Sequence, residues 1–197
     1  VGFVYIYTNI PVAKPEDMKG VKMWMWEGDP VAEATFKALN INPIPLSLTD
    51  VMTSLQTKMI DGVYSSPLGA VALQWFTRVK YMFNLPLADA CGAVVVSKKK
   101  FDALPSDMQE ILTRNGKKYM KKLTEASRKE NARSIEALKK QGVKIIDLPS
   151  KELVSVYDEV GKKARRFLVG KLYDESFLNR IEQSLTEYRK TNDKNSQ

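Results

Sequence analysis

The amino-acid sequence predicts an α/β fold that contains one unusually long helix. Apolar runs alternate with stretches of helical spacing in the first half of the chain, a pattern typical of parallel βαβ units. Residues 106–140 carry apolar side chains at helical spacing without a proline. The 197 residues are 44% hydrophobic and 27% charged, which provides enough apolar material for a buried core.

The first predicted element is a strand at residues 1–9, because β-branched and aromatic residues fill this segment. Pro15 then starts one helical turn. Residues 21–26 are bulky at nearly every position and predict a strand that is covered on both faces. Asp29 precedes Pro30, and an aspartate followed by a proline is a favourable start for the helix predicted next.

The following segments continue the alternation of strand and helix. Residues 44–46 predict a strand, residues 51–59 a helix and residues 61–64 another strand. A further helix is predicted after Pro67. Strands in such units run parallel, and ligands bind at the edge of the sheet where their carboxyl ends meet.

The second half of the chain is predicted to be mainly helical. Residues 90–96 are apolar throughout and predict a buried strand, in which Cys91 is a small buried hydrophobic residue. A single helix over residues 106–140 would be about 50 Å long at ~1.5 Å per residue. A strand at residues 143–146 and two more amphipathic helices complete the chain.

The composition excludes most kinds of catalytic site and metal-binding site. The sequence has no histidine and one cysteine, so it lacks imidazole ligands, thiolate pairs and every histidine-based catalytic arrangement. It also lacks a phosphate-binding glycine loop and a nucleophile motif. We therefore predict no catalytic residue, no metal site and no cofactor. An enzyme would have to use carboxylates such as Glu27 or Asp61.

The net charge of +8 does not by itself indicate a nucleic-acid partner. Lysines cluster at residues 98–100, 117–122 and 139–144, which are separate segments, as on solvated helix faces. We predict no nucleic-acid binding. No apolar run reaches the ~20 residues of a membrane-spanning helix, and the first residues lack the features of a signal peptide. For a secreted protein, the targeting segment is expected to have been removed.

Side chains that could hold a ligand lie where the predicted strands end. Trp24 and Trp26 share one face of their strand because they are two residues apart. An indole can stack on a planar or apolar ligand while hydroxyl groups orient that ligand. The candidate ligand-binding residues are Trp24, Trp26, Glu27, Tyr64, Ser65, Ser66 and Trp75. The alternatives are that the tryptophans belong to the core and that Glu27 is a capping or solvated acid.

Four segments of the chain form a recognisable series. They are residues 15–22 (PEDMKGVK), 36–45, 50–62 (DVMTSLQTKMIDG) and 97–105 (SKKKFDALP), the last being followed by the predicted long helix. Together they resemble the DctP family, the solute-binding proteins of TRAP transporters. The resemblance implies a two-lobed α/β fold like that of periplasmic binding proteins, with the long helix as a spine. Such a receptor closes on a small ligand, usually an organic acid, and delivers it to a membrane permease.

The resemblance also implies how the chain is organised. Residues 1–20 correspond to a hinge-region strand and its connection, and residues 21–95 to an α/β ligand-binding lobe. Residues 96–197 correspond to the spine helix and to C-terminal helices that return to the other lobe. Family members are longer at the N-terminus, so the chain is expected to be partial and to bind ligand poorly alone. The implied partners are a small-molecule ligand and TRAP permease subunits, with only peripheral contact with the membrane partner, and the implied location is the periplasm.

Two positions depart from the family pattern. The family commonly has a ligand-binding arginine where this sequence has Trp24, and an asparagine where it has Ser65 or Ser66. An indole cannot form the two-pronged pair that a guanidinium makes with a carboxylate. A more apolar or aromatic carboxylate is therefore favoured over a simple dicarboxylate. A sensory ligand-binding module and a carboxylate-based enzyme are the alternative functions.

Overall fold

The computed structural model describes residues 1–148, 150 and 152–194. The strands of this part of the chain are β1 (Gly2–Thr8), β2 (Trp24–Trp26), β3 (Ile44–Leu46), β4 (Gly62–Ser65), β5 (Tyr81–Ala90) and β6 (Lys144–Ile146). Its α-helices are α1 (Pro30–Ala38), α2 (Val51–Gln56), α3 (Pro67–Ala72), α4 (Lys98–Asp102), α5 (Ser106–Lys140), α6 (Glu152–Leu168) and α7 (Glu175–Lys194). The predicted α/β fold class with one long helix is confirmed.

The strands form a four-stranded sheet in the order β4-β1-β5-β6 and a two-stranded sheet of β2 and β3. β1 is antiparallel to both β4 and β5, whereas β5 is parallel to β6. β2 and β3 are parallel, as the βαβ pattern predicts, and a parallel bridge between Met23 and Gly62 connects β2 to β4. The carboxyl ends of β2 and β4 therefore lie at the same edge.

Side chains of β1 alternate between two apolar cores. Tyr7 packs in one core with Leu55, Trp75 and Leu138, so this core brings the end of α5 against the sheet. Ile6 lies in the other core with residues of α1, β5 and the 3-10 turn before β2. The sheet is therefore covered on both faces at its centre, as expected for a layered α/β fold.

The prediction of one helix over residues 106–140 is confirmed, because α5 is continuous over 35 residues. Only its last part is held in the core, where Ser134 and Leu138 are buried. Apolar side chains of the first part are exposed, namely Met108, Ile111, Leu112, Tyr119, Met120 and Leu123. Among the described residues, no helix is long and apolar enough to cross a bilayer.

Asn131, in the last third of α5, connects this helix to two other segments. Its side-chain amide donates to the backbone oxygen of Val1 at 2.8 Å. Its side-chain oxygen accepts the N–H of Leu68, in the first turn of α3, at 3.0 Å. Gly2 allows this approach, since a Cβ there would lie 2.5 Å from Asn131 Nδ2 and its φ is +122°. One side chain thus joins α5 to the residue before β1 and to the start of α3.

The buried strand predicted at residues 90–96 is wrong. The strand is β5, and its pairing with β1 ends where Ala90 meets Gly2. Residues 91–97 have no regular structure, and Val94, Val95 and Val96 are exposed. Cys91 is also exposed, which corrects the prediction that it is buried.

Candidate functional site

Trp24 is the centre of an aromatic cluster, which we define as Trp24, Trp26, Tyr64 and Trp75. Its ring stacks on Tyr64 at 5.1 Å between centroids, meets the edge of Trp75 at 5.4 Å and lies 6.0 Å from Trp26. Its indole N–H donates to the backbone oxygen of Leu46 at 3.0 Å. Only 2% of Trp24 is exposed. The four predicted site residues therefore lie together, with Trp24 enclosed by the others.

Trp26 provides the accessible face of this cluster. It ends β2, and 48% of it is exposed. Its backbone N–H donates to the Tyr64 hydroxyl at 3.1 Å, which fixes the end of the strand. An exposed indole at the carboxyl end of a strand is well placed for stacking on a planar ligand.

Tyr64 joins the aromatic cluster to the start of α1. Its hydroxyl donates to Asp29 Oδ2 at 3.1 Å while it accepts the Trp26 N–H. Burial raises the pKa of Tyr64 well above its ordinary value, and the negative charge of Asp29 acts in the same direction. The phenol therefore remains protonated at every physiological pH and keeps its donor on Asp29.

Asp29 caps α1, as its position before Pro30 predicts. Its Oδ1 accepts the N–H groups of Val31 and Ala32, both at 3.0 Å. These are N–H groups without a partner inside the helix, and a carboxylate is stabilised there by the helix dipole. The chain itself therefore occupies the anion-binding position at the start of α1.

The remaining predicted residues lie beside the aromatic cluster. Glu27 is exposed in the turn after β2. The Ser66 hydroxyl accepts the N–H of Gly69 at 3.2 Å and thereby caps α3. Ser65 ends β4 and packs against Gly69, where an added Cβ would lie 2.3 Å from its hydroxyl oxygen. The oxygen of Ser66 is thus already used inside the chain, and Glu27 is free to meet solvent.

A cavity of about 370 Å³ lies between α1, β1 and the end of β5, next to Tyr64. We call it the α1 cavity. Its apolar lining includes Val4, Ile6, Val31, Ala32, Phe36 and Leu87. Two acidic residues, Asp29 and Asp89, line it, and no lysine or arginine is among its lining residues in the described chain. Sequence reasoning missed this cavity, because its walls come from four segments that are far apart in the chain.

The described residues contain no group of three or more His, Cys, Asp or Glu side chains placed to hold a metal ion. The geometry instead combines an exposed indole, an apolar cavity and hydroxyl groups at strand ends. Such a combination of apolar walls and few polar groups is typical of a site for a small organic molecule.

The fold is α/β, and the exposed indole beside an apolar cavity defines a candidate site for a small molecule. The family model described as bacterial extracellular solute-binding protein, family 7 (DctP) matches residues 1–169. The chain therefore belongs to this family, and the predicted membership is confirmed.

Two similar proteins are named as periplasmic binding proteins. The 2,3-diketo-L-gulonate-binding periplasmic protein YiaO of Escherichia coli (strain K12) is 32% identical over 120 residues, which cover 59% of this chain and 36% of that protein. The C4-dicarboxylate-binding periplasmic protein DctP of Rhodobacter capsulatus is 30% identical over 109 residues, which cover 55% of this chain and 32% of that protein. The aligned segments thus represent about a third of each relative.

A solved structure shows the same fold. It is a TRAP periplasmic solute-binding protein from Desulfovibrio salexigens with bound orotic acid. The TM-score is 0.83 at 17% sequence identity, and the match covers 96% of this chain and 60% of that one. The likeness supports the α/β fold of the chain.

Proposed function

We propose that the protein is an extracytoplasmic receptor that captures a small organic molecule and delivers it to a TRAP membrane transporter. The observation that carries this proposal is the family match over residues 1–169. We also propose a periplasmic location and permease subunits as the membrane partner, since relatives are named as periplasmic binding proteins. In this role the protein binds its ligand and does not transform it.

The proposed division of the chain follows the same reasoning. Residues 1–20 serve as a hinge-region strand and connection, residues 21–95 as a ligand-binding lobe, and residues 96–197 as the spine and returning helices. The exposed first part of α5 supports this division, because a spine helix needs a second body to cover its apolar side chains. Solved relatives are longer than this chain, which spans 60% of the orotate-binding one.

We propose that the ligand is an organic acid with an apolar or aromatic body. The relatives named above bind 2,3-diketo-L-gulonate, C4-dicarboxylates and orotic acid. In this chain, Trp24 offers no donor to a carboxylate, because its indole N–H is bonded to Leu46. Trp26 offers an accessible ring instead. We assign stacking to Trp26, supported from behind by Trp24, Tyr64 and Trp75, with Glu27, Ser65 and Ser66 beside it.

A titration panel tests this function. Isothermal titration of the protein with orotate, galacturonate and succinate compares a planar aromatic acid, a sugar acid and a simple dicarboxylate. We expect orotate to bind more tightly than succinate by about tenfold or more, because only orotate can stack on an indole. Preferential binding of succinate would contradict the proposed ligand class. Mass spectrometry of small molecules released on denaturation would identify the natural ligand.

A further inference from the structure

We infer that the α1 cavity, which Trp26 does not line, receives an apolar part of the ligand other than the one that stacks on Trp26, and that the part it receives is uncharged or positively charged. The carboxylate of the ligand then lies outside the cavity. This inference rests on the proposed function, and it specifies which end of the ligand this chain recognises.

The size and walls of the α1 cavity suit a ring-bearing group. A volume of about 370 Å³ falls near the small end of the range of ligand sites, ~300–1,000 Å³. Val4 and Ile6 form one wall, and Val31 and Phe36 of α1 form another. Such walls stabilise a ligand by removing its apolar surface from water.

The hydroxyl groups of the cavity and the N–H groups at the start of α1 are already bonded within the chain. The Tyr64 hydroxyl already donates to Asp29, and the Thr35 hydroxyl donates to the backbone oxygen of Val31 at 2.8 Å. The N–H groups at the start of α1 are bonded to the Asp29 side chain. An anion in the cavity would therefore lose its hydration without gaining these donors, which is unfavourable.

The charge of the lining residues also disfavours a carboxylate in the α1 cavity. Asp29 and Asp89 are both acidic, and the lining residues of the described chain include no cation to balance them. A carboxylate inside would be repelled, whereas a neutral group would be tolerated and an ammonium group attracted. The α1 cavity therefore discriminates between the two ends of an organic acid.

Cys91 provides a direct reporter of occupancy. It lines the α1 cavity, it is exposed, and it is the one cysteine of the sequence. A ligand in the cavity should slow the reaction of this thiol with N-ethylmaleimide, a neutral reagent. Intact-mass measurement then gives the fraction of protein alkylated over time.

Three probes with one phenyl ring isolate the effect of charge: 2-phenylethylammonium, 2-phenylethanol and 3-phenylpropionate. We expect the ammonium and the alcohol to protect Cys91 at concentrations about tenfold lower than the carboxylate, a difference that corresponds to ~1.4 kcal/mol. Equal or stronger protection by 3-phenylpropionate would overturn the charge preference while leaving the cavity as a ligand site. Absence of protection by all three would overturn the inference, and the titration panel would still decide the proposed function separately.

Two pairs of variants test whether the protection of Cys91 depends on residues that line the α1 cavity. Asp29→Asn keeps a good helix cap but removes the charge, so it should reduce the advantage of the ammonium probe severalfold, whereas Asp107→Asn, outside the cavity lining, should not. Ala88→Phe fills the cavity from an exposed position and should abolish protection, whereas Ala93→Phe should leave it intact. An unchanged probe preference in Asp29→Asn, or full protection in Ala88→Phe, would contradict the inference.

Discussion

Trp24 and Trp26 stand two residues apart on β2 but differ sharply in exposure, at 2% and 48%. We predict that Trp24→Ala lowers the free energy of unfolding by about 3–5 kcal/mol, the usual result of removing a buried tryptophan. Trp26→Ala should change stability little but weaken the binding of an aromatic ligand by about tenfold. Urea unfolding and calorimetric titration of both variants separate the two roles. A Trp24→Ala variant that stays stable but loses binding would give the stacking role to Trp24.

Asn131 is the second residue whose environment makes a strong prediction. Asn131→Ala removes two hydrogen bonds and leaves the Leu68 N–H without its acceptor, which should cost about 1–3 kcal/mol of unfolding free energy. Asn131→Asp keeps that acceptor but places a carboxylate oxygen against the Val1 backbone oxygen, so it should also be destabilising. A double-mutant cycle with Gly2→Ala provides the control, because Gly2→Ala should be less destabilising once Asn131 is shortened. If the two changes in unfolding free energy are additive, the close approach of Gly2 and Asn131 does not contribute to stability.

At the scale of the elements, α5 contains one interior glycine whose surroundings are open. A Cβ added to Gly116 would meet nothing within 4 Å. We predict that Gly116→Ala raises the free energy of unfolding by about 1 kcal/mol, because alanine loses less backbone entropy in a helix. Gly161→Ala in α6 is the matched comparison, since its Cβ would make only an ordinary contact, 3.4 Å from Arg165 Nη1, and a gain of similar size is expected there. A loss of stability in Gly116→Ala would refute the prediction.

The start of α7 predicts a dependence on pH. The N–H of Phe177 and the hydroxyl of Ser176 donate to the Asp174 carboxylate, and these bonds lower the pKa of Asp174 below its ordinary value. The stabilisation is therefore complete above the ordinary aspartate pKa and is lost as the pH falls through the lowered value. Asp174→Asn retains a cap but does not titrate there. We expect its unfolding free energy to depend less on pH in the acid range, measured by urea unfolding at several pH values.

The sequence predicts elements well where periodicity and local bonding decide the structure. α5 and the Asp29 cap of α1 are such cases, since the signal lies within a few neighbouring residues. β5 was missed because Asn84, Pro86 and Asp89 interrupt its apolar pattern and its pairing with β1 is irregular between Val4 and Ile6. That register depends on a distant strand, which no local pattern reveals.

At the candidate site, too, some features could be predicted from the sequence and others depend on how distant segments pack. Trp24, Trp26 and Tyr64 could be predicted together because they lie at the ends of adjacent strands. The α1 cavity could not be predicted, since its shape depends on how β1, α1 and β5 pack. Hydrogen-bond use was also invisible in the sequence, as the Ser66 cap of α3 shows. The sequence gives the residue types of the site, but only the structure shows which hydrogen-bond donors remain available to a ligand.

At the scale of the whole molecule, the exposed apolar side chains after β5 should govern association. Val94, Val95 and Val96 are consecutive and exposed, and the first part of α5 adds further apolar surface. We predict that the chain self-associates at high concentration and that Val95→Lys reduces this severalfold, because a charge there is costly to bury. Sedimentation velocity measures the effect. Ala93→Lys adds the same charge to the same segment without removing a large apolar group, and it should have less effect.

The attachment of α5 at Asn131 has a mechanical consequence. The stretch from Ser106 to Asn131 is about 38 Å long at ~1.5 Å per residue, and the buried contacts of the helix lie beyond it at Ser134 and Leu138. Within the described residues, the part of α5 that packs in the core is therefore the short part after Asn131, and most of the longer part before Asn131 lies on the surface. A tilt of about 5° at Asn131 would displace Ser106 by roughly 3 Å over this length. Asn131 also bonds to the start of α3. Such a tilt would therefore act directly on the segment that follows Ser65 and Ser66.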